Sequence, residues 1–394
     1  MGRLTRLVLI LAIGTVTGWP IAPCIIGPAG GYDDETPQAV VETWGHLTVL
    51  RLQGTPYEMG YQHGVAQRAA IRQWVNEEVY GRTVLGSGQS HGLLLAYAHQ
   101  LENALTLDIR RELRGIADGA GLSYQDILIL NLVLNRLPPL PLPLPDAPPA
   151  SPMLNLQALA FAAWPPATHD NALDNTFLGY RLDAPGKANR LRRHLLAIVY
   201  QPTDGLTYAT LTWCGQVGAW CGLNEANLAI CATPAKGGDA SDQGLLPAIL
   251  TRHLLAHARD GEQALRQAIQ HDSVAAFQLL IADGQRQSTA AITFSEHRYE
   301  MTTRATEPHQ GVLIFGPNPA QLSSLLNHNL GWLNRDKILT ILAASQPFDE
   351  KSPGICSKAT LLNALFVPGR NELWVGMDLW PASCRRYVRL GLAD

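Results

Sequence analysis

The most specific local pattern in this chain lies at residues 54–64, which read Gly54-Thr55-Pro56-Tyr57-Glu58-Met59-Gly60-Tyr61-Gln62-His63-Gly64. Thr55 can cap a helix, proline suits the first helical position, and Glu58 can close a capping box with Thr55. Gly60 and Gly64 are four residues apart, so they share one face of the predicted helix. Because glycine costs helix stability, we expect these glycines to allow close approach to another backbone.

The composition around this helix is that of a folded protein. Of its 394 residues, 46% are hydrophobic and 16% are charged, which excludes a disordered chain. A net charge of −3 argues against a nucleic-acid partner. The sequence has no P-loop, HExxH or CxxC motif, so it implies no metal and no organic cofactor.

The first 24 residues have the pattern of a secretory signal. Arg3 and Arg6 precede the apolar run 7–13, and small and turn residues follow up to Cys24. This pattern predicts export to the periplasm, the cell envelope or the extracellular space. Residues 21–24 also outline a bacterial lipid-attachment site, in which Pro23 fits poorly, so contact with a membrane is predicted only through the signal or a lipid on Cys24. An uncleaved anchor helix is the other interpretation.

The remaining chain predicts helices first and strands later. Residues 25–44 are rich in glycine, proline and acids and predict a linker, and eight prolines within 137–152 predict an exposed loop. Strands and helices that segregate along the chain predict stacked layers. The predicted strands are 46–52, 159–164, 175–182, 194–200, 207–213, 227–232, 290–294, 311–315, 361–367, 372–379 and 386–390. The predicted helices are 55–64, 91–117, 123–137, 245–258, 261–271 and 332–344.

Six segments, in order, resemble one family. They are 54–64; Gly115 to Ala120 with Asp126 to Asn131; Phe161-Ala162-Ala163-Trp164; Gly215 to Ala229; Gly316 to Arg335; and Ile355 to Pro381. They resemble the peptidase family C45, the self-cleaving acyltransferases and amidohydrolases of the N-terminal nucleophile (Ntn) hydrolase superfamily. The resemblance implies an α+β fold, a four-layer αββα sandwich with two facing antiparallel sheets, in one domain over residues 45–394.

The resemblance also implies a mechanism that this chain lacks the residue to perform. In the family the precursor cuts itself before a cysteine, whose thiol then attacks an amide or thioester carbonyl while its own α-amino group acts as base. Counted back from Phe161, the matching position is Ala158, in Gln157-Ala158-Leu159-Ala160-Phe161-Ala162. Alanine carries no nucleophilic atom.

Two other family positions are retained in altered surroundings. Asp183 matches the family's aspartate, while Arg181 replaces its asparagine and could pair with Asp183. Asn318 matches the family's oxyanion-stabilising asparagine but stands between Pro317 and Pro319. Asp183 and Asn318 could equally be turn residues.

Other groups could supply a nucleophile in place of Ala158. Ser90 lies in a GxSxG pattern at 88–92, which works only as a sharp strand-to-helix turn, and no clear strand precedes it. Ser151 lies in the proline-rich segment. Cys214 or Cys221 could act with a histidine as base, or these two cysteines could pair with each other, as could Cys356 and Cys384.

Three functional hypotheses follow from these residues. The first is an exported, non-catalytic homologue that binds a small acyl or amide ligand, or a partner at the cell envelope. The second is an active Ntn-type amide hydrolase or acyltransferase that acts on C–N bonds through a non-standard nucleophile. The third is a structural envelope lipoprotein tethered through Cys24.

Overall fold

A computed structural model of the chain describes residues 38–86, 90–134, 156–169, 175–186, 188–235, 244–274, 276–295, 298–303, 311–317, 319–344, 355–377 and 386–392. These residues fall within one unit that runs from Pro37 to Asp394. The signal segment with Cys24, the predicted loop at 137–152, Ser151 and Asn318 lie outside the described residues.

The described secondary structure contains fifteen strands and ten α-helices. In chain order the strands are β1 (Val40–Trp44), β2 (Leu47–Gly54), β3 (Gln157–Ala163), β4 (Phe177–Asp183), β5 (Leu195–Pro202), β6 (Tyr208–Trp213), β7 (Cys221–Asn224), β8 (Leu228–Pro234), β9 (Phe277–Asp283), β10 (Ser288–Ser295), β11 (Arg298–Thr303), β12 (Val312–Phe315), β13 (Thr360–Val367), β14 (Glu372–Gly376) and β15 (Val388–Gly391). The helices are α1 (Pro56–Ala66), α2 (Arg68–Trp74), α3 (His91–Glu102), α4 (Leu107–Ala120), α5 (Tyr124–Leu134), α6 (Ala188–Arg192), α7 (Pro247–His257), α8 (Gly261–Ala268), α9 (Ala320–Asn327) and α10 (Arg335–Leu342), and a π-helix (Val75–Gly86) follows α2. Among the described helices, none combines the length and the apolar character that a bilayer crossing requires.

The strands form two sheets. The larger has the order β1-β2-β5-β6-β7-β8-β9-β10-β11, and the smaller has the order β12-β3-β4-β13-β14-β15. Neighbouring strands are antiparallel throughout, except that β2 and β5 are parallel.

Strand β3 shows how the layers are stacked. Ala158, Ala160 and Ala162 belong to the core shared with the larger sheet, because alternate residues of a strand face opposite sides. Leu159 and Phe161 belong to a second core with the hydrophobic residues of α9 and α10. On the other side of the larger sheet, α1 and α7 pack against its strands. The order helix, sheet, sheet, helix confirms the predicted four-layer α+β sandwich.

Four glycines place α1 directly against α4. Gly60 and Gly64 on α1 face Gly115 and Gly119 on α4, and each lacks the space for a side chain. The predicted close approach of Gly60 and Gly64 to another backbone is therefore confirmed. A Cβ atom at these positions would lie 2.2 Å from the carbonyl oxygen of Glu112, 2.4 Å from that of Ile116, 2.2 Å from that of Tyr57 and 2.3 Å from that of Tyr61, respectively.

The capping box at the start of α1 is also confirmed. The Thr55 hydroxyl accepts from the backbone N–H of Glu58, and the Glu58 carboxylate accepts from the backbone N–H of Thr55 at 2.7 Å. By contrast, the helix predicted over 91–117 is divided in two. Thr106 caps the second part, α4, by accepting from the backbone N–H of Ile109.

The predicted linker at 25–44 needs a correction at its end. Residues 40–44 form strand β1, which pairs antiparallel with β2. Glu42 on this strand accepts hydrogen bonds from Arg51 Nε at 2.9 Å and from Trp44 Nε1 at 2.7 Å. These bonds fix an edge strand in a segment whose composition suggested a linker.

Cys214 and Cys221, which the sequence allowed to pair, form no disulfide. Both thiols are free and buried, as is that of Cys231. Cys221 stands opposite Cys231 across β7 and β8, whereas Cys214 lies beyond the end of β6. Cys356 is disulfide-bonded, and its predicted partner Cys384 lies outside the described residues.

Candidate functional site

The position that the sequence resemblance assigns to the family's nucleophile lies at the start of β3. Ala158 is 1% exposed and stands opposite Leu182 on β4. Its side chain points into the core between the two sheets. A methyl group there contributes packing and no chemistry.

The turn after β12 passes directly over this position. Gly316 has φ +119°, and a Cβ atom there would lie 2.3 Å from the carbonyl oxygen of Ala158. Only glycine allows this combination of close approach and positive φ. The turn therefore brings the backbone of Gly316 against that of Ala158.

Asp183 is held by two side chains. Its Oδ2 pairs with the Arg181 guanidinium at 2.9 Å, and its Oδ1 accepts from the Thr360 hydroxyl at 2.7 Å. Arg181 also donates to the carbonyl of Ile355. Burial raises the pKa of Asp183, and Arg181 and Thr360 oppose that rise. The predicted ion pair between Arg181 and Asp183 is therefore confirmed, and it ties β4 to β13 and to residue 355.

Asp183 and Ala158 lie on opposite faces of the smaller sheet. Asp183 stands directly opposite Gln157, and Arg181 stands opposite Leu159. Residues that face each other across two strands share one side of the sheet, so Asp183 and Arg181 lie on the outer side with Leu159. The residue at the start of β3 that shares their side is Gln157, which is exposed.

Cys214 is the cysteine that the structure places beside a histidine. Its Sγ lies 3.7 Å from Nδ1 of His194, and Arg193 Nε donates to Nε2 of the same ring at 3.2 Å. Because Nε2 accepts, Nδ1 must carry the proton and face the sulfur as a donor. A base needs the opposite arrangement.

The protonation of this pair also disfavours thiolate chemistry. Burial raises the pKa of the Cys214 thiol to about 12. Burial, together with the charge of Arg193, lowers the pKa of His194 to about 4. Both groups are therefore neutral at physiological pH, and Trp74 covers the imidazole with a centroid separation of 4.1 Å.

Two further thiols line the space between the sheets. Burial raises the pKa values of Cys221 and Cys231 far above the range in which a thiol ionises. Tyr180, on the inner face of β4, has a buried hydroxyl without a hydrogen-bond partner in the described part of the chain. Its pKa is raised first by burial and then by the two nearby thiols. This space is apolar and neutral.

The GxSxG pattern has the wrong structural context for an esterase. Ser90 is exposed and precedes helix α3, where its carbonyl accepts from the backbone N–H groups of Leu93 and Leu94. The element before it is the π-helix that ends at Gly86. Because the described element before Ser90 is a helix, the pattern lacks the strand that precedes a nucleophile turn in the described part of the chain.

His63 is a buried neutral histidine whose titration we expect to show in the stability of the protein. Its Nε2 accepts from the backbone N–H of Gly215 at 3.0 Å. Burial first, and then the charge of Arg252, lower its pKa to about 3.

We therefore predict that the protein loses stability as the pH falls below the ordinary histidine pKa of about 6.5. In this pH range the unfolded chain takes up a proton at His63 and the folded chain does not. Protonation therefore stabilises the unfolded state relative to the folded state. Between pH 6.5 and about 5, His63 alone should remove roughly 2 kcal/mol from the free energy of unfolding. Urea titrations of wild type and His63→Gln at both pH values measure this, and equal pH dependence of the two proteins would contradict it.

A buried ion pair that was not predicted from the sequence lies on the other side of the larger sheet. Arg252 on α7 donates to Glu112 on α4, to the Tyr208 hydroxyl at 2.9 Å and to the Val217 carbonyl at 2.7 Å. Glu112 and Arg252 lie 140 positions apart, so no local spacing connects them. The available signal was the charged Glu112 within the buried face of a helix. Within the described ranges, no group of three or more His, Cys, Asp or Glu side chains could hold a metal ion.

Two facing sheets between helical layers define a four-layer α+β protein. The sequence model of the acyl-coenzyme A:6-aminopenicillanic acid acyl-transferase family matches residues 191–313. This match confirms the resemblance to the acyltransferases and amidohydrolases of this group. It extends from α6 to β12 and leaves out β3 and β4, where Ala158 and Asp183 lie.

Two curated relatives match in sequence. An uncharacterized protein of Archaeoglobus fulgidus is 31% identical over 142 residues, which is 33% of this chain and 22% of that protein. Protein dcd1A of Dictyostelium discoideum is 23% identical over 283 residues, which is 63% of this chain and 58% of that protein. The chain thus spans less than two thirds of the length of either relative.

Solved structures with partial similarity include an amidase orthologue and a penicillin acylase. The Caenorhabditis elegans orthologue of N-acylethanolamine-hydrolyzing acid amidase has a TM-score of 0.43 at 11% identity, over 54% of this chain and 93% of that chain. Penicillin V acylase of Agrobacterium tumefaciens has a TM-score of 0.41 at 11% identity, over 60% of this chain and 86% of that chain.

Proposed function

We propose that this chain is an exported, non-catalytic protein on the acyltransferase-like fold, which has lost the self-cleaving cysteine and binds a small acyl or amide ligand. The observation that carries the proposal is Ala158 at the start of β3. Asp183 supports it, because both of its oxygens are engaged by Arg181 and Thr360. The carboxylate acts there as a structural link between strands.

The first expected result is an uncut chain. Self-cleavage in the family requires transfer of the peptide carbonyl onto a thiol, and Ala158 has none. Intact-mass spectrometry of the mature protein should give a single polypeptide that contains the Gln157–Ala158 bond. Two fragments that divide near residue 157 and remain associated would refute the proposal.

Restoring the thiol should not restore the reaction. In Ala158→Cys the sulfur enters the apolar core between the sheets, while Arg181 still replaces the family's asparagine. Prolines on both sides of Asn318 remove two backbone donors, and loss of one oxyanion donor typically costs roughly 10²–10³ in rate. We expect no self-cleavage and no measurable hydrolysis of simple acyl amides.

A matched variant tests a thiol on the other face of β3. Gln157→Cys places the thiol on the exposed side that Asp183 shares, and we expect it to be equally inactive. The assay follows fragment formation by mass and amide hydrolysis by release of the amine. Prompt self-cleavage by either single variant would show that the catalytic geometry is intact, and would contradict a drifted site.

The active-enzyme alternative depends on one contact, the 3.7 Å approach of Cys214 to His194. An activated acyl ester should leave wild type unlabelled at this cysteine, because the thiol is buried and protonated. An acyl adduct that forms on wild type and is absent from Cys214→Ala would favour the alternative.

Export is tested on the protein from its native host. The N-terminal mass should correspond to a chain cut near residue 24 without a lipid. A diacylglyceryl group on Cys24 would favour the envelope lipoprotein, and an uncut N-terminus would favour the anchor helix.

A further inference from the structure

A cleft lies on the helical side of the larger sheet, between α4 and α7, and shares no residue with the surroundings of Ala158. Its volume is about 160 Å³, similar to that of an engineered cavity of about 150 Å³ that binds benzene. Met59, Ile109, Leu245 and Ile249 contribute to its mostly apolar walls. An apolar wall with few polar groups is the usual character of a small-molecule site.

The floor of the cleft contains an incompletely bonded carboxylate. Glu112 is 0% exposed, and one of its oxygens accepts from Arg252. The Tyr200 hydroxyl also faces this carboxylate. The other oxygen, Oε1, has no hydrogen-bond partner among the described residues. A buried carboxylate oxygen without a donor is costly, so a ligand that donates a hydrogen bond there would relieve that cost.

The charges around the cleft favour a positive ligand. Its lining includes the carboxylates of Asp108, Glu112 and Asp204 against the single guanidinium of Arg252. The exposed carboxylates lie nearer the entrance, and Glu112 lies at the floor. A ligand cation would therefore be attracted at the entrance, whereas at the floor Arg252 balances the charge of Glu112 and leaves Oε1 as a hydrogen-bond acceptor.

Three imidazoles form one side of the cleft. His253 packs on His257 with a centroid separation of 4.5 Å and meets the edge of His271 at 5.6 Å. Burial, with the charges of these two neighbours, lowers the pKa of His253 to about 4. A neutral imidazole offers a ring nitrogen that accepts a hydrogen bond and a ring face that attracts a cation.

We propose that this cleft binds a small organic amine. Its ammonium group donates to Oε1 of Glu112, and its apolar body lies against Met59 and Ile249. The proposal goes beyond the function proposed above and does not depend on it, because the two sites share no residue.

The test uses a matched series of six-carbon probes with the full mature chain. Hexylammonium carries the predicted head and tail, 1-hexanol keeps the tail without the charge, and hexanoate reverses the charge. Isothermal titration and saturation-transfer NMR should show one site that binds hexylammonium at least about tenfold more tightly than 1-hexanol. Hexanoate should not bind.

Variants then locate the site. Ala256→Trp, which fills the cleft from α7, should weaken hexylammonium binding at least about tenfold, and Glu112→Gln should do the same. Asp204→Asn changes only the entrance of the cleft and should weaken hexylammonium binding about twofold to threefold. Glu300→Gln, on exposed strand β11, removes the same charge elsewhere and should leave binding unchanged.

A thermal melt of each variant shows that it is folded. If Glu112→Gln does not fold, Ala256→Trp and Asp204→Asn decide the result. Equal binding of the ammonium and the carboxylate, or unchanged hexylammonium binding in Ala256→Trp, would overturn the proposal.

Discussion

Gly115→Ala is expected to lower the free energy of unfolding by at least about 3 kcal/mol. The new methyl carbon would lie 2.2 Å from the carbonyl oxygen of Tyr57 and 2.7 Å from the backbone nitrogen of Tyr61. Both obstacles are backbone atoms of α1, so no side chain can move aside. Helix α1 must shift away from α4 as a whole, which opens the contact that Gly60 and Gly119 also form.

A helical glycine with open space provides the control. Gly92 lies in the first turn of α3, and a methyl carbon there would meet nothing closer than 3.7 Å. Gly92→Ala should therefore keep or raise stability, by up to about 1 kcal/mol from helix propensity. Urea unfolding of both variants measures the difference. If Gly115→Ala unfolds within about 0.5 kcal/mol of wild type, the helices are not in backbone contact as described.

Local chemistry explains which elements were predictable. The capping box fixed the start of α1, and Gly60 with Gly64 indicated a close helix pair, because both signals lie within a few residues. Strands β3 to β6 were predicted because they are short apolar runs bounded by turn residues.

The missed elements lacked such local signals. Strand β9 (Phe277–Asp283) is a nearly continuous apolar run, which periodicity alone does not separate from a buried helix. Strand β11 (Arg298–Thr303) is polar and exposed, so its membership in the sheet depends on pairing with β10. Helix α9 follows Pro317 and Pro319, which were interpreted only as turn residues.

The site was predictable only in part for the same reason. The resemblance assigned Ala158, and the spacing of two suggested that Arg181 pairs with Asp183. The sequence could not show that Asp183 faces away from Ala158, because that depends on the register that sets Asp183 opposite Gln157. Nor could it pair Glu112 with Arg252, or separate Cys214 from Cys221, because these relations are set by packing between distant segments.

The pair of Glu112 and Arg252 leads to the second large prediction. Arg252→Leu should lower the free energy of unfolding by about 3–5 kcal/mol, because it leaves a buried carboxylate without its cation. The Tyr208 hydroxyl and the Val217 carbonyl also lose the donors that Arg252 supplies. The double variant Glu112→Leu/Arg252→Leu removes both charges together. We expect the double variant to lose less stability than the two single variants lose together, with a coupling energy of about 2 kcal/mol or more.

The pH dependence of Arg252→Leu separates the charge from the lost packing. Burial already raises the pKa of Glu112, and removal of the guanidinium raises it further. A carboxyl whose pKa is raised on folding loses stability as the pH rises from its ordinary value of about 4.3 through its folded value. The free energy of unfolding of the variant should therefore be closer to that of wild type near pH 5 than at pH 7. Removal of the Arg252 charge also lets the pKa of His63 rise, which reduces the loss of stability at low pH and acts in the same direction. Urea titrations at both pH values measure the two differences. An equal loss at both would show that Arg252 stabilises the protein by filling space, and that its charge opposite Glu112 contributes nothing.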